Sequence, residues 1–204
     1  MGINRRGFLA TSALVAISTV LSCPVFAATA NDEREEARFR WDLVHFTSFA
    51  PPTFEAGGFA SAHANDGSTI MLTGSGTFEV GESDEVTGGG QWATFSPSGA
   101  MTGSGTYRVR RLIRFELAPG TIVGTPIVDN IGDKAVAHSG LVALAIRYSD
   151  GSHGVLFVSC DLPVGTPPSV FEGITASKGF VDYWNRVAPV ANVDGNRTVF
   201  HAMP

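Results

Sequence analysis

The chain has 204 residues, of which 44% are hydrophobic and 16% are charged, and its formal net charge is −5. Residues 31–204 are long enough to bury one hydrophobic core, so we expect a single domain. Lysine occurs only at Lys134 and Lys178. Because nucleic-acid binding requires a face rich in lysine and arginine, this mildly acidic balance argues against a nucleic-acid partner.

The first thirty residues carry the strongest local signal. Two adjacent arginines, Arg5 and Arg6, precede an uncharged apolar run over residues 8–21. That run is shorter than the about 20 residues of a membrane span, and the small residues 28–30 follow it. The segment resembles a bacterial twin-arginine export signal, which implies that residues 31–204 are the mature domain and that it lies in the periplasm or outside the cell.

Several alternatives to cleavage after Ala30 remain open. Cleavage could follow Ala27, or the apolar run could be retained as an anchor. Lipidation at Cys23 is a third option, because residues 20–23 (VLSC) resemble a lipoprotein cleavage box with leucine in place of the usual small residue. After cleavage at Ala30 only Cys160 remains, so no intramolecular disulfide can form, and its apolar neighbours predict a buried thiol.

Apolar residues in the rest of the chain recur with period two in short runs, which predicts an all-β fold. The first strand is predicted over residues 38–46, and its apolar face holds Phe39, Trp41, Leu43 and His45. The prolines at 51–52 should end this strand, because proline cannot donate to a sheet ladder. Residues 54–63 indicate a weaker strand interrupted by two glycines.

An internal repeat follows. Residues 73–80 (TGSGTFEV) match residues 102–109 (TGSGTYRV) at an offset of 29 residues, which predicts two similar strand units side by side in one sheet. The glycines should let the strands bend or pack closely, since the pattern lacks the lysine of a phosphate-binding loop. The TGSGTF segment resembles the glycine-rich strand of dirigent and allene-oxide-cyclase-like barrels over under a tenth of the chain. That resemblance assigns no catalytic residue.

The clearest hairpin signal joins residues 141–148 to residues 153–160. Between these apolar runs, Asp150 and Gly151 predict a tight turn in which both central residues have positive φ. The first run is apolar on both faces except at Arg147, so it should be a central strand covered on both sides.

The complete pattern predicts about eight to ten strands with short connections. The longest is expected over residues 106–117, and later strands over 170–177, 180–184 and 198–203. This favours a single antiparallel β-barrel, with a β-sandwich as the alternative.

Arg111 is the main exception on the longest predicted strand, because it falls on the apolar face. An inward arginine could clamp a carboxylate, and Trp41, Tyr107 and Trp92 would supply apolar walls. This predicts a secreted barrel that binds a small, mainly apolar ligand with an acidic group. The alternatives are a β-bulge near Arg110 that returns Arg111 to solvent, or an internal ion pair.

A second hypothesis is a barrel enzyme of the isomerase or cyclase type. His45 and His153 lie in line with apolar faces and are its candidate acid–base groups, although buried, hydrogen-bonded histidines are the simpler interpretation. The five histidines show no ligand spacing, so no metal and no cofactor are predicted. A third hypothesis is a surface or assembly protein without a pocket. The oligomeric state is left open.

Overall fold

Fifteen β-strands and no α-helix are present in residues 37–204, the part of the chain that this computed structural model describes. The predicted export signal, its cleavage sites and Cys23 lie outside these residues. The all-β prediction is confirmed. The strands are β1 (Arg38–Phe49), β2 (Pro52–Ala56), β3 (Phe59–His63), β4 (Thr69–Thr73), β5 (Ser75–Glu79), β6 (Glu82–Val86), β7 (Gly89–Phe95), β8 (Met101–Ala118), β9 (Val128–Asp129), β10 (Ala137–Tyr148), β11 (His153–Cys160), β12 (Gly173–Lys178), β13 (Val181–Tyr183), β14 (Asn185–Arg186) and β15 (Thr198–Met203), with a 3₁₀ turn over Lys134–Val136.

The strands form one large sheet in which the pairs are antiparallel, except that β2 and β9 pair in parallel. Strand β1 pairs with β15, β5 and β2, and strand β10 pairs with β8, β11 and β15. The prediction of a central strand over residues 141–148 is confirmed. The predicted strand number was too low, because residues 52–63 and 69–79 are each divided at a glycine and because three strands have only two or three residues.

The inner face of the sheet is filled by side chains. Trp41, Phe78, Phe200, Leu144 and Leu156 have no exposed surface. A fully buried aliphatic or aromatic side chain contributes about 1.5–3 kcal/mol relative to an exposed one, so this interior is a packed core.

The opposite face of β1 and β15 is also covered. Asp42 on β1 has no exposed surface, although the alternation predicts a solvated position for it. The segment between β8 and β10 lies over this face, where Ile122 is 1% exposed and Asp129 contacts His201 of β15. A strand covered on both sides must pair any charge that it buries, and Arg40 donates two hydrogen bonds to Asp42, of 2.7 and 2.8 Å.

The internal repeat has a packing explanation. Its two copies flank β7 in the same sheet, because β7 pairs with β4 and β5 on one side and with β8 on the other. The second glycine of each copy faces a tryptophan, since Gly76 lies opposite Trp41 and Gly105 opposite Trp92. A methyl group on either glycine would approach the indole nitrogen, to 2.9 Å from Trp41 and 3.0 Å from Trp92.

Strand β8 contains two irregularities that decide where Arg111 points. Its register against β10 skips Arg110 and Ile113, so Arg111 pairs with Ala145 and lies on the exposed face. Leu112, its neighbour, is buried. The expectation that Arg111 lies on the apolar face was therefore wrong, and the alternative of a bulge near Arg110 describes the strand correctly.

The predicted hairpin between β10 and β11 is confirmed, but its turn differs from the prediction. Gly151 has a φ of 89°, whereas Asp150 is not among the residues with positive φ. Asp150 instead accepts hydrogen bonds from the N–H and the hydroxyl of Ser152, at 3.0 and 2.7 Å. The side chain therefore stabilises a longer loop, and only the glycine needs the left-handed region.

We expect Gly76→Ala to destabilise the fold by about 1–3 kcal/mol, the usual cost of overpacking a core. The new methyl group would lie 2.3 Å from the carbonyl oxygen of Thr87, and backbone cannot move away as cheaply as a side chain. Urea unfolding measures the loss. The control is Ser104→Ala, at an exposed position of the second repeat copy, which should change stability by less than about 0.5 kcal/mol. Equal stabilities would contradict this account of the repeat.

Candidate functional site

The aromatic residues predicted to line a ligand cavity belong to the packed core. Trp41 has no exposed surface, and Tyr107 is 2% exposed. Trp92 packs edge-on against Tyr148, with ring centroids 5.8 Å apart, and also lines a groove of about 420 Å³ across the outward faces of β4, β7 and β8. The structure therefore does not gather Arg111 with the three aromatic residues around one cavity.

The two predicted histidines occupy different surroundings. His45 is part of a pair with Asp194, and its Nδ1 lies 2.6 Å from the carboxylate. Burial alone would raise the pKa of Asp194, but hydrogen bonds from the Phe46 N–H and from His45 lower it on balance. His153 is exposed at the start of β11, opposite Arg147. Neither histidine belongs to the lining of the apolar pocket described next.

A more enclosed pocket lies where the covered face of β1 and β15 meets the connecting loops. Its volume is about 250 Å³. Apolar side chains make up most of its wall: Val44, Phe46, Phe54, Ile122, Ile127, Leu162, Pro163, Pro189 and Val199. Three charged residues also line it: Asp161, Glu172 and Arg197. An apolar pocket with a few polar groups is the usual form of a small-molecule site.

Glu172 is the unusual group in this pocket. Its carboxyl group accepts hydrogen bonds from the backbone N–H groups of Asp161, which follows β11, and Thr198, which begins β15. Burial raises the pKa of Glu172 to about 8, more than these hydrogen bonds lower it. At neutral pH the group is therefore mostly a protonated carboxyl, which can donate a hydrogen bond.

Arg197 supplies the positive charge at the pocket. Its guanidinium group donates hydrogen bonds of 2.7 Å to the carbonyl oxygens of both Val193 and Val190. It also lies 5.1 Å from the centre of the Phe46 ring, within the range of a cation–π contact. These contacts hold the side chain in place, and no carboxylate oxygen among residues 37–204 lies within 4.0 Å of its guanidinium group.

A buried carboxylate–histidine pair lies under the same cover. Asp129 has a fully buried side chain and contacts Nε2 of His201 at 2.7 Å. Burial raises the pKa of Asp129, but hydrogen bonds from His201 and from two backbone N–H groups lower it on balance. Nδ1 of His201 is buried without a hydrogen-bond partner among the described residues. This pair fixes the loop against β15, since a buried charge requires a partner.

Sequence reasoning missed Glu172 because no local pattern marks it. Its hydrogen-bond partners are 11 and 26 residues away along the chain. Glu172 falls within the strand predicted over residues 170–177, where a single glutamate ordinarily indicates the solvated face. Only the folding of the loop onto β15 removes this carboxyl from water.

Comparisons with models of protein families, with curated proteins and with solved structures found no match. In residues 37–204 no three histidine, cysteine or acidic side chains converge as a metal-binding group would require. The same residues contain no helix of the length and hydrophobicity needed to cross a membrane. The pocket geometry is therefore the basis for a functional proposal.

The raised pKa of Glu172 predicts a specific pH dependence of stability. Between its ordinary pKa of 4.5 and about 8, the folded protein keeps a proton that the unfolded chain has lost. The contribution of Glu172 is thus fully present below pH 4.5 and is lost as the pH rises to 8, by at most about 1.4 kcal/mol per pH unit.

Glu172→Gln should remove this slope, so that the variant becomes more stable relative to the natural protein as the pH rises from 5 to 8. Urea unfolding at several pH values measures the difference. Glu55→Gln, at an exposed position on β2, is the control and should keep the natural pH profile. A constant difference between Glu172→Gln and the natural protein would contradict the assignment.

Proposed function

We propose that this protein binds a small, mainly apolar molecule that carries one acidic group. The observation that supports the proposal is the pocket of about 250 Å³, whose wall is mostly apolar and whose charged groups are few and fixed. A molecule in it would bury its apolar body against Phe54, Ile122 and Ile127. Each square ångström of apolar surface removed from water contributes about 25 cal/mol, so even a small ligand can bind tightly.

The acidic group of the ligand would contact Arg197, the cation of the pocket lining, instead of Arg111. Glu172 would assist while it is protonated, because a neutral carboxyl donates a hydrogen bond to an anion and an ionised one repels it. Affinity for an acidic ligand should therefore fall as the pH rises through about 8, the pKa of Glu172.

The proposal includes export and a closed barrel. Residues 1–30 would direct the chain to the periplasm or beyond. Six strands support closure, because each pairs with the next and the last with the first: β1, β5, β7, β8, β10 and β15. The shortest pairings in this ring are those of β5 with β7 and of β10 with β15. Nuclear Overhauser contacts between Ser75 and Gly89, and between Ala137 and His201, would establish these two pairings. If either contact is missing, the sheet is open.

A second candidate function is an enzyme of the isomerase or cyclase type that acts on such a molecule. The position of Glu172 favours it, because a carboxyl group with a pKa near 8 can both give and accept a proton at neutral pH. In this alternative Glu172 replaces the histidines as the acid–base group. Conversion of a bound molecule that Glu172→Gln abolishes, with binding retained, would favour the enzyme over the binding protein.

Filling the pocket should weaken binding. Ile127→Trp introduces an indole into the lining, whereas Val123→Trp adds the same bulk at a position of the same loop that is 53% exposed. With cinnamate as the probe, titration calorimetry should show at least about a tenfold loss of affinity for Ile127→Trp, which corresponds to 1.4 kcal/mol, and less than a twofold change for Val123→Trp.

The protein for this test is recovered from the periplasm of cells that express the full chain. Native mass spectrometry of that material should also show an excess mass over the denatured protein if a tight natural ligand is retained. Absence of the protein from the periplasm contradicts export. Failure of cinnamate and of its neutral amide to bind, or equal losses in both tryptophan variants, contradicts the pocket.

A further inference from the structure

Positive charge is concentrated on one part of the outer surface, away from the apolar pocket. Residues 37–204 contain nine arginines, and five of them lie on the neighbouring strands β8 and β10. These five are Arg108, Arg110, Arg111, Arg114 and Arg147, and all are exposed. In a chain with a net charge of −5, this arginine surface is a strong local exception.

The two irregularities of β8 align these arginines. Arg108, Arg111 and Arg114 are three residues apart in sequence, a spacing that would alternate them between faces of a regular strand. Because β8 skips Arg110 and Ile113, their partners on β10 are Arg147, Ala145 and Ala143, each two residues from the next. The three arginines therefore form a row on one face with a spacing of about 6.8 Å.

One end of the row opens into a depression of about 340 Å³ that Arg108, Arg110 and Arg147 line together. Its wall includes Thr106 and Ser149. Several arginines around one depression can hold an oxyanion, because each guanidinium offers donors in a planar fork.

Few of these charges have a close carboxylate partner within the described part of the chain, and the nearby acidic side chains of Glu82, Asp84 and Glu85 lie on β6, which packs against β8. Arg108 lies directly opposite Arg147, an arrangement of like charges that destabilises a sheet. Among residues 37–204, the only carboxylate within 4.0 Å of the five arginines is that of Glu116, which is 4.0 Å from Arg114. Asp150, which is close by in the loop, is instead hydrogen-bonded to Lys178. A bound anion would relieve this repulsion.

Small side chains lie beside the row of arginines, and aromatic side chains lie beyond them. Ala145 and Ala143, the partners of Arg111 and Arg114 on β10, have small side chains, and Ala143 is 1% exposed. Across β11, Phe157 pairs with Ala143 and packs against Trp184, with ring centroids 5.6 Å apart. Phe157 therefore lies about two strand spacings, or about 10 Å, from Arg114, and Trp184 beside it is 53% exposed.

We propose that the arginine surface binds a linear acidic polysaccharide, with one anionic group in the depression and the following groups along the row. A repeating polyanion matches a straight row of charges on a flat sheet face. The aromatic face of Trp184 and Phe157 suits the apolar face of a sugar ring.

The test uses the full-length mature protein with a heparin oligosaccharide, polygalacturonate and neutral dextran as probes, and follows tryptophan fluorescence. The natural protein should bind both acidic polymers, with an affinity that falls as salt increases, and should not bind dextran. Arg111→Gln and Arg147→Gln should each reduce the affinity about tenfold, the effect of one charge-assisted contact of about 1.4 kcal/mol.

Arg38→Gln is the matched control, because Arg38 is exposed on β1 and loses the same charge. Its affinity should change less than twofold, and all variants should keep the natural circular dichroism spectrum. Trp184→Ala should also weaken binding, as measured by calorimetry.

Four results would overturn the proposal. The first is no binding of either acidic polymer, and the second is an equal loss in Arg38→Gln, which would indicate nonspecific attraction. The third is unchanged affinity in Trp184→Ala. The fourth is binding of single-stranded DNA or of phosphatidylglycerol vesicles as tightly as the polysaccharides, which would assign the surface to a different polyanion.

Discussion

The burial of β1 on both faces is the constraint on which the rest of this structure depends. One face carries Trp41 and Leu43 into the core, and the other carries Asp42, which has no exposed surface either. A strand in this position needs a second layer, and the segment between β8 and β10 provides it. The apolar pocket is the gap that remains where this layer meets β1, β15 and the neighbouring loops.

The same layer explains the charges found beneath it. Arg40 with Asp42, and His201 with Asp129, are pairs because an unpaired charge in this environment would cost several kcal/mol. Glu172 is the exception, since its carboxyl group accepts two backbone hydrogen bonds and no cationic group of residues 37–204 lies within 4.0 Å of it. Because burial disfavours the ionised form, this carboxyl group keeps its proton up to a higher pH. The pocket wall is therefore sensitive to pH.

Strand β8 separates two kinds of surface. Its inner residues, such as Leu112, complete the core, while its bulges turn Arg108, Arg111 and Arg114 outward in a row. Each skipped residue lets the next side chain return to the same face. One irregular strand therefore supplies both core contacts and the arginine surface. The apolar pocket lies on a different part of the sheet.

The sequence by itself determined the strand class, the bounds of β15, the hairpin between β10 and β11 and the central place of β10, because all of these follow from local periodicity and turn chemistry. The exposure of Arg111 and the burial of Asp42 were decided only by tertiary structure. A bulge changes the face on which every later residue lies, and a covering loop removes a whole strand face from water. Glu172 gains its environment from partners at positions 161 and 198, and no short pattern records contacts over such distances.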